Sequence, residues 1–233
     1  MTIEPKLNIK IDPPVEIVDG VLTVHASPLT SYSLVRELPP GKNGLVFEGY
    51  HERCGHCVVK LWLRPDMRWE DRFRRGFQEA CHAAQASDHW SVEMIDARMI
   101  NDVFLASMKW VDGMPLRDAL TAKPDDAYRW LLAKAYIEAI FATKTTPHGD
   151  AHAGNVMIQT ICREPSPKAI LIDFASDEVG QRSREERHWD VFRETVRDIV
   201  RKLPKFANAD RDLLGRKAVV EAHYWTMIDR LKP

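Results

Sequence analysis

The chain has 233 residues, 45% of them hydrophobic and 29% charged, which is enough apolar content for one domain or two small lobes. Its 33 basic and 34 acidic residues nearly cancel, which argues against a strongly basic nucleic-acid binder and a highly charged disordered tail. No apolar run of about 18 residues is present to span a membrane, MTIEPKLNIKID lacks a signal peptide's apolar core, and four cysteines do not make a disulfide framework. A reduced, cytoplasmic protein is expected.

In chain order, residues 8–25 alternate loosely around Asp19-Gly20, which predicts a β-hairpin. Residues 33–63 read as strand, glycine loop, strand, turn, strand (SLVREL, GLVFEGYH, CVVKLWL). From Trp69 to Gln85 the period becomes helical, with Trp69, Phe73, Gly76, Phe77, Ala80 and Ala84 on one face. Two strand-like runs follow, SVEMIDARMI and VFLASMKWV, and then a polar dip at Asp112-Gly113 that suits a hinge. Asp125 is placed to cap a helix carrying Tyr128, Leu131, Leu132, Ala135, Ala139 and Ile140. The loop PHGDAHAGN leads to two strand runs, VMIQTI and KAILIDF. A connector rich in Arg and Glu leads to two final helices, the first with Trp189, Phe192, Val196, Ile199 and Leu203 on a stripe. The first part is thus mostly β with one helix, and the second is mostly helical.

Two pieces carry chemistry. His148-Gly149-Asp150-Ala151-His152-Ala153-Gly154-Asn155 holds an Asp with an Asn five positions later, and Leu171-Ile172-Asp173-Phe174 ends an apolar strand in an Asp. Phosphoryl transfer needs a carboxylate beside the attacking hydroxyl, and oxygen ligands that hold Mg²⁺ against nucleotide phosphates. Asp150 suits the first task. Asn155 and Asp173 suit the second.

With those residues the sequence resembles the protein-kinase-like superfamily: HGDAHAGN is similar to the catalytic loop H-x-D-x-x-x-x-N, and IDFA to D-F-G. The resemblance implies an α+β, bilobal kinase-like fold, with a β-rich N-lobe carrying one long helix and a reduced, mainly helical C-lobe. Residues 1–29 are expected to be an extension with a hairpin, residues 30–112 the N-lobe and hinge, and residues 113–233 a minimal C-lobe. It also implies ATP and Mg²⁺ as cofactors. Val58-Val59-Lys60 resembles the strand whose lysine reaches the α/β phosphates, and Glu79, nineteen positions on, the helix carboxylate that orients it. Pro39-Pro40-Gly41-Lys42-Asn43-Gly44-Leu45-Val46 resembles a reduced glycine-rich loop; Gly41, Asn43, Gly44 and Val46 would then line the nucleotide. Such glycines let backbone N–H groups approach phosphates without a Cβ in the way. Two glycines also suit an ordinary hairpin. Met108, Lys109 and Val111 resemble the back of the adenine pocket and the hinge.

Departures from the family pattern bear on the acceptor. His152 stands where Ser/Thr kinases usually have lysine, and D-x-H-x-G-N is similar to aminoglycoside and choline phosphotransferases and to UbiB-type kinases. Only 39 positions separate Val111 from Asp150, filled by one expected helix, so the substrate-binding insertion of small-molecule kinases is missing. Gly149 replaces the arginine that pairs with a phosphorylated activation loop, and only 17 positions separate Asp173 from Asp190, which resembles the loop-anchoring Asp. No phosphorylation switch at Ser176 or Ser183 is expected. Ala175 replaces the D-F-G glycine, which restricts flipping of Phe174. Such compact designs resemble RIO-type and small bacterial effector kinases, so secretion as an effector stays open beside cytoplasmic residence. The expected activity is protein serine/threonine phosphorylation, with Asp150, Lys60 and His152 in catalytic roles. The alternatives are a small-molecule kinase and a nucleotide-binding pseudokinase or weak ATPase. Cys54-Gly55-His56-Cys57 has no second pair to complete a zinc site and suits a strand turn. Arg64, Arg68, Arg72, Arg74 and Arg75 suit a solvated helix face or an acidic partner.

Overall fold

The computed structural model describes residues 15–18, 21–27, 30–39, 44–62, 68–86, 89–100, 103–160, 166–174 and 183–233. The chain divides into two compact units, residues 1–80 with 93–110, and residues 81–92 with 111–233.

The first unit is a seven-stranded antiparallel sheet, ordered β1-β2-β3-β4-β5-β7-β6. Its strands are β1 (Val15–Val18), β2 (Val21–Ser27), β3 (Thr30–Glu37), β4 (Leu45–His51), β5 (Gly55–Trp62), β6 (Met94–Ile100) and β7 (Val103–Lys109). β1 and β2 form the expected hairpin, paired Val18 to Val21, while Asp19-Gly20 lies outside the described residues. Side chains alternate across β5. Cys57, Val59 and Leu61 join Tyr32, Leu34, Phe47 and Leu105 in one buried cluster. Trp62 turns the other way and packs with Ala80, Phe104 and Ala106. The β4–β5 hairpin closes at Gly55, whose φ of 75° is a left-handed conformation that glycine adopts at little cost. The C-x-x-C motif is therefore a turn: Cys54 is exposed and its N–H donates to His51 Nδ1, while Cys57 belongs to the core.

Helix α1 (Trp69–Gln85) matches its expected span, but not its expected face. Phe73 and Phe77 are 38% and 48% exposed, Ala84 is exposed, and Glu79 is buried. The cause is local packing. Gly76 lies flat on Phe104, where a Cβ would come 2.3 Å from the ring, and this turns the stripe toward Gly76, Glu79, Ala80 and Ala83.

The second unit holds a three-stranded antiparallel sheet, β10-β9-β8, made of β8 (Met114–Pro115), β9 (Val156–Gln159) and β10 (Lys168–Leu171). Its helices are α2 (Leu116–Thr121), α3 (Asp126–Ala142), α4 (Arg184–Val200), α5 (Asn208–Gly215) and α6 (Glu221–Leu231). Asp125 caps α3 as expected, its side chain accepting from the Tyr128 N–H at 2.7 Å. Ser183 caps α4 in a reciprocal capping box with Glu186. Two expectations change here. Three helices, not two, follow the connector, because α4 and α5 are separated by a turn around Pro204 and α6 starts afresh after Gly215. The interval from Val111 to Asp150 holds two helices, the six-residue α2 and then α3. Phe141, Phe192 and Tyr224 form the aromatic centre of this core, with ring centroids 4.8–6.0 Å apart. Among the described residues no helix is long and apolar enough to cross a membrane.

Candidate active site

In the first unit the site residues sit on β4, β5, α1 and β7. Lys60 points to the Trp62 side of β5 and is only 5% exposed. Its Nζ lies 2.6 Å from Glu79 Oε1 and 4.9 Å from the Trp62 ring centroid. Glu79 is 8% exposed. Taking both charges out of water is expensive, and their attraction offsets this only with good geometry. Val46 is the cross-strand partner of Lys60, and Ala106 is its partner on the other side. Gly44 has a structural reason to be glycine, since a Cβ there would sit 1.9 Å from the Leu61 carbonyl oxygen. Gly41 and Asn43 lie outside the described residues. Met108 is buried on β7. The Lys109 amide hydrogen is taken by the Glu93 carbonyl at 2.8 Å, and its ammonium lies 3.1 Å from the Glu93 carboxylate. Val111 belongs to the second unit and is half-buried.

In the second unit the loop from His148 to Asn155 has no regular secondary structure and is held by individual bonds. His148 is completely buried against Phe174, with ring centroids 4.3 Å apart. Its Nδ1 accepts the Asp150 N–H at 3.2 Å, which leaves the proton on Nε2 to donate to the Ile172 carbonyl at 2.7 Å. Burial pushes its pKa down to about 4, so the ring is neutral, and with both nitrogens hydrogen-bonded its task is structural. The Asn155 amide nitrogen donates to the Asp150 carbonyl at 2.9 Å, and the Ile172 N–H donates to the Asn155 carbonyl at 3.0 Å. Asp150, His152, Asn155 and Asp173 are thereby brought together around one loop and the end of β10. Asp150 keeps its carboxylate half-exposed, 3.9 Å from His152 Nε2. His152 Nδ1 accepts the Gly154 N–H at 3.0 Å. Asp173 stands at φ 59°, a left-handed conformation that Asp tolerates better than most residues, and its side chain is exposed while Phe174 is buried.

Oxygen chemistry here suits Mg²⁺. The anchored Asn155 nitrogen leaves Oδ1 as the acceptor end of the amide, and Asp173 adds an accessible carboxylate. Gly149 sits at φ 81°, which explains glycine at this position. Asp190 pairs with Arg193, one turn along α4. Ala175 and Ser176 lie outside the described residues, as does Arg64. Arg68 and Arg74 are exposed and paired with Glu70 and Asp71, as a solvated face requires.

The sequence reading missed Tyr136. Its buried hydroxyl donates to the Ala151 carbonyl at 2.8 Å, directly after Asp150. Its position midway between Leu132 and Ile140, at four-residue spacing, was the available signal.

A lysine–glutamate pair joining a strand to a helix, and an Asp-to-Asn loop followed by a strand-end Asp, lie on an α+β chain with the protein-kinase-like fold. The similar solved structures include the kinase domain of Mycobacterium tuberculosis PknI, with a TM-score of 0.61 and 20% identity over 86% of this chain and 95% of that one. A double mutant of the same domain gives a TM-score of 0.62 at 18% identity, covering 87% of this chain and 96% of that one. No protein-family model and no curated protein matches the sequence.

Proposed function

We propose that the chain is an ATP- and Mg²⁺-dependent phosphotransferase whose acceptor is a serine or threonine hydroxyl of a protein. The observation that supports this most is the Lys60–Glu79 pair at 2.6 Å, with each partner more than nine-tenths buried. Replacing such a pair by apolar residues is often neutral or stabilising, so folding alone gives little reason to keep it. A lysine that binds phosphate does give one.

In this reading Lys60 holds the α/β phosphates and Glu79 keeps its ammonium aimed. Asp150 orients the acceptor hydroxyl and takes its proton late in the transfer. Asn155 Oδ1 and the Asp173 carboxylate would hold Mg²⁺, which when bound supplies charge neutralisation on the phosphates. Lys109 and Val111 offer backbone groups to adenine, with Met108 behind it; from Lys109 that group is the carbonyl, because its N–H is already used. Most of the rate then comes from positioning and charge stabilisation, since phosphoryl transfer leaves little covalent chemistry for the protein to do. A protein acceptor is favoured because only β8, α2 and α3 lie between Val111 and the catalytic loop, with no insertion to wall in a small molecule.

A small-alcohol acceptor is the second reading, and His152 supports it. Its ring is held by the Gly154 N–H beside Asp150, in the D-x-H-x-G-N pattern similar to small-molecule kinases.

Incubation with γ-labelled ATP and a cell lysate separates the cases. Label in protein is expected. Label in a small metabolite selects the second reading, and label only in free phosphate reduces the activity to ATP hydrolysis. The absence of both transfer and hydrolysis overturns the proposal. Asp173→Asn keeps a residue tolerant of the left-handed backbone and removes only the charge. It is expected to fold and to lose transfer; full activity in it would refute the metal role.

A further inference from the structure

We infer that Tyr136 and Thr195 form a positioning relay that sets the catalytic loop, and this rests on the phosphotransferase reading above. The Tyr136 hydroxyl, on α3, donates to the Ala151 carbonyl at 2.8 Å. Thr195, buried on α4, shares a side-chain hydrogen bond with the Tyr136 hydroxyl.

The loop's other hydrogen-bonded carbonyls are met by backbone N–H groups or by the loop's own Asn155 amide. The Asp150 carbonyl accepts from the His152 N–H and the Asn155 amide, and the His152 carbonyl accepts from the Asn155 N–H. The Ala153 carbonyl accepts from the Arg117 N–H. The Ala151 carbonyl instead is met by a side chain from the rigid helical core. Ala151 and Tyr136 are both completely buried, and the Tyr136 ring stacks on Phe192 with centroids 6.0 Å apart. A buried carbonyl is costly to leave unmet, so the hydroxyl fixes the height of the backbone at the residue after Asp150. Tyr136 touches no reacting atom and acts through that backbone.

The test uses Tyr136→Phe, Thr195→Val and Thr195→Ser in the full chain, with two readouts. In steady-state transfer, Tyr136→Phe is expected to lower kcat by roughly 10- to 100-fold, with KM for ATP changed less than about twofold, as misplacement of a reacting group does. Thr195→Val is expected to lower kcat less, and Thr195→Ser to restore it. In amide hydrogen exchange, residues 150–155 should exchange faster in Tyr136→Phe while the α3 amides stay near wild type, and the melting midpoint should fall by roughly 2–10 °C. A wild-type kcat in Tyr136→Phe overturns the inference, as does a raised KM with kcat unchanged. If the wild-type chain transfers no phosphoryl group, the phosphotransferase reading has failed by itself; the exchange measurement still decides, and unchanged exchange at residues 150–155 overturns the relay. Should Tyr136→Phe fail to fold, the Thr195→Val and Thr195→Ser pair carries the same comparison.

Discussion

His148 Nε2 lies 2.7 Å from the Ile172 carbonyl oxygen, so a buried imidazole joins the His148–Asn155 loop to the segment that runs from β10 to Asp173. The bond that Nδ1 accepts from the Asp150 N–H needs a neutral ring, because a protonated Nδ1 can only donate. Burial holds the His148 pKa at about 4. His188 on α4 is also fully buried, has neither ring nitrogen hydrogen-bonded, and is pushed down to about 3 by burial first and then by His148 and Arg184. An unfolded histidine takes its proton near pH 6.5. The unfolded chain therefore binds more protons than the folded one below that pH, and stability that is complete above about 6.5 falls as the pH drops toward 4. The expected loss by pH 5 is roughly 2 kcal/mol for each histidine. Urea unfolding at pH 7.5 and pH 5 measures it, and His188→Leu should remove about half of the difference.

The Lys60–Glu79 pair predicts that stability and function separate. Lys60→Met or Glu79→Leu alone leaves one buried charge and should cost about 3–5 kcal/mol. The double variant Lys60→Met/Glu79→Leu removes both charges and should unfold near the wild-type temperature, or above it, while transferring no phosphoryl group. Thermal melts of the three variants decide this. A double variant as unstable as the worse single would show that the pair holds the sheet and helix together.

Gly149 predicts resistance to a family-like substitution. At φ 81° an arginine pays roughly 1–2 kcal/mol for the left-handed backbone. Gly149→Arg should lower the melting midpoint by about 5 °C in a chain of this length. It should not make activity depend on phosphorylation. Ser183 already uses its hydroxyl as the cap of α4, which gives it a structural task.

Gly154 and His152 should behave as one unit. A Cβ at residue 154 would come 2.9 Å from His152 Cε1, and the half-exposed ring would have to move aside. Gly154→Ala should fold normally and lower transfer about tenfold, or about 1.4 kcal/mol in barrier. His152→Ala should do the same, and the double variant should be no worse than either, because both changes remove one arrangement. Multiplied losses in kcat/KM would show two separate roles.

The strand-like runs and the span of α1 were legible because the apolar period changes cleanly from two to 3.6 near Trp69, whereas the short α2 and the break between α5 and α6 were not. The gathering of Asp150, Asn155 and Asp173 was legible because HGDAHAGN and the following IDF are similar to two strings that adjoin in kinase-like folds. Three further things were not. The orientation of α1 was hidden, because two phenylalanines outweigh a glutamate in any apolar count while packing put Glu79 inside and left Phe73 and Phe77 half-exposed. Gly44 pointed toward a phosphate loop, yet the contact that excludes a side chain there is the Leu61 carbonyl, and a sequence does not show such an approach. Tyr136 was hidden because an aromatic residue on a helix stripe reads as core, and the partner of its hydroxyl lies fifteen residues away in an irregular loop.

The seat of Gly76 on Phe104 has a mechanical consequence. Phe104 is completely buried and has nowhere to retreat, so the helix is keyed to the sheet one turn before Glu79. The carboxylate bonded to Lys60 is thus locked in gear rather than thrown by a lever. A single added methyl group, Gly76→Ala, is expected to push the helix off Phe104 and disturb the pair without altering either charge.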